Sequence, residues 1–391
     1  MKVGIGSSKE KEPELALQEA YRKSLQRLGS TKSDLSLIFY SYDYGMDPTV
    51  LGGAFKKVFR DVPHLGSSTL SAWSGKEGFD TETGLLVMSL KDLNFEFDFL
   101  RVHSLKEKSE LWSTELSRQL HDRALINNKS PDFLFVMADS LNFNASAGFS
   151  SLERAFPKTQ ICGVGASYSV PQVSIVCKGE VYLNALFALE ITGTKPWMGL
   201  MQNILPELAA IEINRMSENL VIEIDQKPAF YKLCEHLMQK DDLPMMSPDQ
   251  FRKHMGDLFV VETAKEKIER LRTIGSPHKV ISLLGSEMTT GMVAVASELD
   301  FSKDHYLGQK KIEYAENGAR EVLSQLKAKI EKPSMIWLFS ATSRLRDRER
   351  KISDRHLVRE VYPECPLLEV SSNGEYLGEH NQYAAIVIVF P

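Results

Sequence analysis

Asp34-Leu-Ser-Leu-Ile-Phe-Tyr-Ser41, a helical stretch near Thr49–Arg60, and Val62-Pro-His-Leu-Gly-Ser-Ser68 together decide the fold. A short, mostly apolar run between polar ends predicts a buried strand. The next stretch predicts a helix, and the second apolar run another strand. Strand, helix and strand in that order predict a βαβ crossover with the two strands parallel. The second strand ends in Gly66, Ser67 and Ser68, which we read as a tight small-residue loop where backbone can approach a ligand.

The unit recurs. Pro131-Asp-Phe-Leu-Phe-Val-Met-Ala-Asp-Ser140 leads through a helix near Ser150–Phe156 into Gln160-Ile-Cys-Gly-Val-Gly-Ala-Ser167. Pro333-Ser-Met-Ile-Trp-Leu-Phe-Ser340 leads through a helix near Asp354–Tyr362 into Pro366-Leu-Leu-Glu-Val-Ser-Ser-Asn-Gly374. The third copy is longer by the charged stretch Arg344–Lys351, which reads as a solvated face. Three strands with the same sequel predict internal duplication.

Working outward, Val3–Ser8 predicts a strand. Pro13–Leu28 predicts a helix with Leu15, Ala16, Tyr21, Leu25 and Leu28 on one stripe and Gly29 as its C-cap. Val173–Cys177 and Gly179–Glu190 predict strands, Glu313–Lys329 a helix and Tyr383–Phe390 a final strand. The fold class expected is α/β: repeated β-α-β units forming mixed sheets covered by helices. At 391 residues two domains are expected, over 1–210 and 211–391.

Composition narrows the function. With 43% hydrophobic and 25% charged residues the chain reads as globular. A net charge of −5 argues against nucleic acid or an anionic membrane as partner. Met1–Ser8 runs into a charged segment without an apolar core, so no secretion signal and a cytoplasmic location are expected. No apolar run is long enough for a membrane helix. The four cysteines (Cys162, Cys177, Cys234 and Cys365) form no CxxC pair and read as reduced, buried thiols. The nine histidines show no metal-ligand spacing, so no metal site is expected, although spacing says nothing against a single histidine holding haem. Gly4-Ile-Gly6 and Gly163-Val-Gly165 complete no phosphate loop, and no GxSxG elbow is present. No catalytic residue is expected.

Polar residues at strand ends are the candidates for ligand contact. They are Ser41, Gly66, Ser67, Ser68, Gly163, Gly165, Ser167, Ser340, Arg344, Asn373, Gly374, Glu375 and His380. Arg344 offers a guanidinium fork to an anionic group, and Glu375 a carboxylate to an amine.

The chain resembles FIST proteins, with an N-terminal and a C-terminal FIST domain. The resemblance rests on Val3-Gly-Ile-Gly-Ser7, Phe39-Tyr-Ser41, His64-Leu-Gly-Ser-Ser-Thr69 and Glu223-Ile-Asp-Gln-Lys-Pro-Ala229 in the first half. In the second half it rests on Phe339-Ser-Ala-Thr-Ser-Arg344, Asn373-Gly-Glu375 and His380-Asn-Gln382. The chain departs from the family at Ser67 and Ala341, where Cys is common, at Ser71-Ala72 in place of Gly-Glu, and at Gln226 in place of Gly. The resemblance implies an intracellular sensor of a small ligand, such as an amino acid. It would report to a separate partner such as a histidine kinase or a cyclic-dinucleotide enzyme. A haem-binding nitric oxide sensor and an enzyme of unknown reaction, using Cys162 or a strand-end serine, are the alternatives.

Overall fold

The computed structural model describes residues 1–45, 47–80, 82–108, 111–140, 145–166, 173–202, 204–241, 251, 258–263, 273–275, 279–287, 289–295, 299–310, 312–345, 352–377, 379–381 and 383–391. Three apolar runs enter as adjacent strand pairs: Leu35–Tyr40 with His64–Ser68, Phe133–Asp139 with Gln160–Ala166, and Met335–Ala341 with Leu367–Leu377. Each pair is parallel, as the crossover reading requires. The first strand of each pair is buried along its whole length, because helices cover one face and other strands the opposite face.

Each pair belongs to a larger unit with one wiring. A strand and a helix precede the parallel pair, and a last strand inserts antiparallel between that leading strand and the pair. The leading strands are Lys2–Ser8, Glu96–His103 and Trp197–Gln202. The inserting strands are Leu85–Lys91, Ala185–Thr192 and Ala384–Phe390. The helices after the leading strands are Pro13–Leu28, Trp112–Asn127 and Ile312–Lys329. Pro13 at its first turn, the Glu12 cap on Leu15 N and left-handed Gly29 fix the ends of the first helix. Gly4 lets it lie directly on the leading strand: a Cβ there would sit 2.1 Å from the Ser24 carbonyl.

The units join in a ring. His64–Ser68 bonds Ser174–Cys177 of the second unit. Gln160–Ala166 bonds Leu367–Leu377 of the third, and that strand bonds Ser71–Ser74 of the first. Inner faces from all three share one apolar core. Its centre is aromatic: Phe339 lies 6.3 Å from Phe39 and 4.9 Å from Phe135, ring to ring.

Residues 204–310 are inserted in the third unit between its leading strand and its helix. They carry an eight-stranded sheet, the helix Ala229–Asp241 and an apolar core of their own. The insertion joins the rest through its strand Thr273–Gly275, which pairs in parallel with Trp197–Gln202, and touches it through Phe259 against Tyr383 at 5.5 Å. Its strand Lys279–Glu287 also packs on the short strand Glu379–Asn381. Strands from both sides of residue 210 share the twelve-stranded sheet.

The glycine loops need correction. Gly66, Gly163 and Gly165 lie inside strands, not in turns. They are required by close approach: a Cβ on Gly66 would stand 1.8 Å from the Ile38 carbonyl oxygen. Of the turn glycines expected at these strand ends, Gly374 alone has a left-handed backbone, with φ 88°.

Candidate functional site

The carboxyl ends of parallel strands are where α/β sheets open onto ligands, and the units close theirs differently. In the first, Ser41 Oγ accepts from Gly84 N at 3.1 Å and Ser68 Oγ accepts from Ser174 N at 3.1 Å. The Tyr40 hydroxyl meets Ser174 Oγ at 3.0 Å, and buried Ser67 lies opposite Ile175. Thr69 Oγ1 meets Ser371 Oγ at 2.8 Å, and Ser71 N donates to that hydroxyl at 3.0 Å. In the second, Ser140 Oγ donates to the Ala166 carbonyl at 2.9 Å, and the expected site residue Ser167 lies outside the described residues. The first end is closed by internal hydrogen bonds; at the second, residues 141–144 and 167–172 lie outside the described residues.

The third unit leaves polar atoms over. Ser340 ends an apolar run and is fully buried between Ser371 and Ala385 of the flanking strands. Among the described residues its Oγ has no hydrogen-bond partner. Beside it the strand Leu367–Leu377 shifts register between Ser372 and Glu375, where Gly374 turns the backbone left-handed. The shift sets the Glu375 carboxyl against Ser372, whose Oγ donates to Oε1 at 2.6 Å. Among the described residues Oε2 has no hydrogen-bond partner. Burial pushes the pKa of Glu375 well above the carboxylate range, against the opposing pull of Ser372, the Ala384 amide and the Arg344 charge. Burial therefore favours the neutral form of this carboxyl. Thr342 Oγ1 ties the cluster to the next turn by donating to the Ser372 carbonyl at 3.1 Å.

Arg344 has a different role from the one expected. It stands on the short helix Thr342–Leu345, and its Nε and Nη2 donate to Asp354 Oδ2 and Oδ1 at 2.8 and 2.9 Å. Both residues are fully buried. The fork is matched inside the protein, which corrects the reading of Arg344 as the partner of a ligand anion. Asn373 lies against the second unit, its carbonyl so close that a Cβ on Gly165 would meet it at 2.2 Å. His380 stands opposite Tyr376 in register, and its side chain lies outside the described residues.

Sequence reasoning missed Asp354 and Ser372. Asp354 reads as a first-turn acid after the cap Ser353, and nothing in the spacing pairs it with Arg344. Ser372 was visible in the Ser-Ser-Asn-Gly turn, but only the register shift brings it to Glu375.

Other reactive groups are occupied or held back. Burial in the central core pushes the Cys162 thiol well above its ordinary pKa. The His64 ring donates from Nδ1 to the Val62 carbonyl at 2.7 Å and accepts at Nε2 from Gly179 N at 2.7 Å. With both nitrogens used, His64 does not fit as an axial haem ligand. Among the described residues no group of three His, Cys, Asp or Glu could hold a metal ion, and no helix is long and apolar enough to cross a membrane. In the insertion Glu262 is buried with Lys279 at 3.3 Å and His305 at 3.6 Å, a charge network balanced by its own members and by Asp300. An open groove of 1180 Å³ lined by Tyr21, Leu25, Val58 and Arg60 lies at the amino ends of Leu35–Tyr40 and His64–Ser68, opposite to Ser41 and Ser68.

Comparison with known proteins bears on the first two units. Residues 34–227 match the family model of the FIST N domain. The match supports the FIST family for this chain. The FIST N domain stretch starts at the first parallel pair, spans the whole second unit and stops at Lys227. It says nothing of a FIST C-terminal domain, and Ser340, Arg344 and Glu375 lie beyond it. No curated protein matches the chain. Among solved structures, the crystal structure of a chorismatase is similar over 100% of this chain and 100% of that chain, with a TM-score of 0.36 and 8% identity. A likeness at that score carries no argument about this protein.

Proposed function

We propose that this chain is a cytoplasmic receptor for a small polar ligand that acts without catalysis and reports to a separate signalling protein. A histidine kinase or a cyclic-dinucleotide enzyme is the kind of partner that fits. One observation carries the reading. Among the described residues, Glu375 Oε2 is buried near the carboxyl end of its strand without a hydrogen-bond partner, as is Ser340 Oγ on the opposite face of the adjoining strand. A buried polar atom without a partner costs about 1–3 kcal/mol, and a ligand that supplies the missing donor or acceptor recovers it. The equivalent strand end of the first unit is closed by internal bonds, and the orphan atoms among the described strand ends are in the third unit. The FIST N domain match is consistent with a sensory role, and the contact of the insertion with Glu379–Asn381 gives a bound ligand a route to a second body of the fold.

A thermal-shift screen of amino acids, simple amines and organic acids tests the reading. A binding compound raises the melting temperature by mass action, and the rise shrinks in Glu375→Gln. Stabilisation by no compound, or equal stabilisation of the variant, counts against the receptor.

A further inference from the structure

Resting on the receptor reading above, we infer that the group recognised at the strand-end cluster is a protonated amine, bound by Glu375 as carboxylate with release of one proton. The charges of the cluster decide this. A carboxylate ligand needs an unmatched cation, and the buried cation here, Arg344, is held by both oxygens of Asp354. Among the described residues Glu375 has no ion partner of its own: Ser372 donates to Oε1, the Ala384 amide also acts on the carboxyl, and Oε2 has no hydrogen-bond partner. Ser340 takes no part in this contact: it is in register with Ser371 and Ala385, on the face of the sheet opposite to Ser372 and Glu375. Among the described residues, the charge acting on Glu375 is that of Arg344, and Asp354 offsets it.

The exchange balances. An alkylammonium enters against Glu375–COOH, the carboxyl proton leaves to solvent, and a hydrogen-bonded ammonium–carboxylate pair remains. Burial that keeps the empty site protonated makes the pair strong once formed, since an ion pair gains in low dielectric what an isolated carboxylate loses there. The inference reverses the polarity expected from Arg344 and leaves organic acids without a docking group.

Propylammonium, propionate and 1-propanol, matched in size, serve as probes in titration calorimetry on the full chain at pH 7 in two buffers of different ionisation enthalpy. The expected result is a heat for propylammonium whose buffer dependence corresponds to one proton released. Propionate and propanol give none, and Glu375→Gln, whose amide imitates the neutral acid, melts no lower than the parent without ligand but loses both binding and proton release. Binding of propionate or propanol as strong as that of the amine overturns the inference and leaves the receptor standing. Amine binding without proton release, or unchanged in Glu375→Gln, overturns it also. Binding of none of the three overturns the inference. If the broader screen is silent as well, the receptor reading falls with it.

Discussion

Two buried titratable side chains have opposite effects on stability with pH. His64 is sandwiched by Phe55 and Phe59 at 5.5 and 4.8 Å, and desolvation lowers its pKa to about 4. Its Nε2 must stay unprotonated to accept from Gly179. The unfolded chain therefore binds a proton that the native state refuses, and stability falls as pH drops from about 6.5 towards 4, by about 3 kcal/mol in full. Glu375 is the converse case. Its folded pKa is raised, so its contribution is present below the carboxylate range and is lost as pH rises towards the folded value, at up to about 1.4 kcal/mol per pH unit. Urea unfolding across pH 4–8 separates them by difference: His64→Gln removes the acid-side loss, and Glu375→Gln removes the loss on the alkaline side. A parent whose stability slope matches that of either variant contradicts that assignment. Both residues were visible in the sequence, His64 as part of a strand and Glu375 as a ligand contact. Their environments were not, because each depends on a register between distant strands.

Elements were legible where one local rule decides them. Leu35–Tyr40, Phe133–Asp139 and Met335–Ala341 are apolar runs that read directly as buried strands, and Pro13–Leu28 announces both its ends. Glycines misled, since sequence reports that a side chain is missing and not why. Gly66 was read as a turn and is a strand residue pressed on Ile38. Gly66→Ala is expected to cost about 3 kcal/mol or more, or to prevent folding, because the obstacle is backbone and does not yield as a side chain does. A melting temperature within a degree or two of the parent's contradicts that packing. The short helix Thr342–Leu345 and the helix Asp354–Val361 are held together by the Arg344–Asp354 fork. Asp354→Ala is expected to lose about 3–5 kcal/mol by leaving the guanidinium buried alone, and Arg344→Met with Asp354→Leu to lose less than that single change. Denaturant midpoints for the three proteins check the order.

At the scale of the molecule, the repeat was legible as three strand pairs, but its closure into a ring was not. Closure depends on pairs such as Gly66 with Val176, Val164 with Glu375 and Val370 with Ala72, none of which has a local signature. The ring explains why the candidate site is asymmetric. Three equivalent strand ends meet neighbouring units; the first is sealed by serine, threonine and tyrosine hydroxyls, and the third keeps Ser340 and Glu375 over among the described residues. The insertion 204–310 enters that same unit and packs on the strand after Glu375, so occupancy of the site is expected to alter amide exchange in Lys279–Glu287 as well as in Leu367–Leu377. Exchange changes confined to the outer helices contradict this coupling. The most direct test is a carbon-13 NMR titration of the glutamate carboxyls, with the Glu375 signal identified by its loss in Glu375→Gln. The account predicts a neutral acid at pH 7 in the free protein that becomes a carboxylate when propylammonium is added. A Glu375 signal that ionises in step with surface glutamates, or that ignores every compound stabilising the protein, contradicts it.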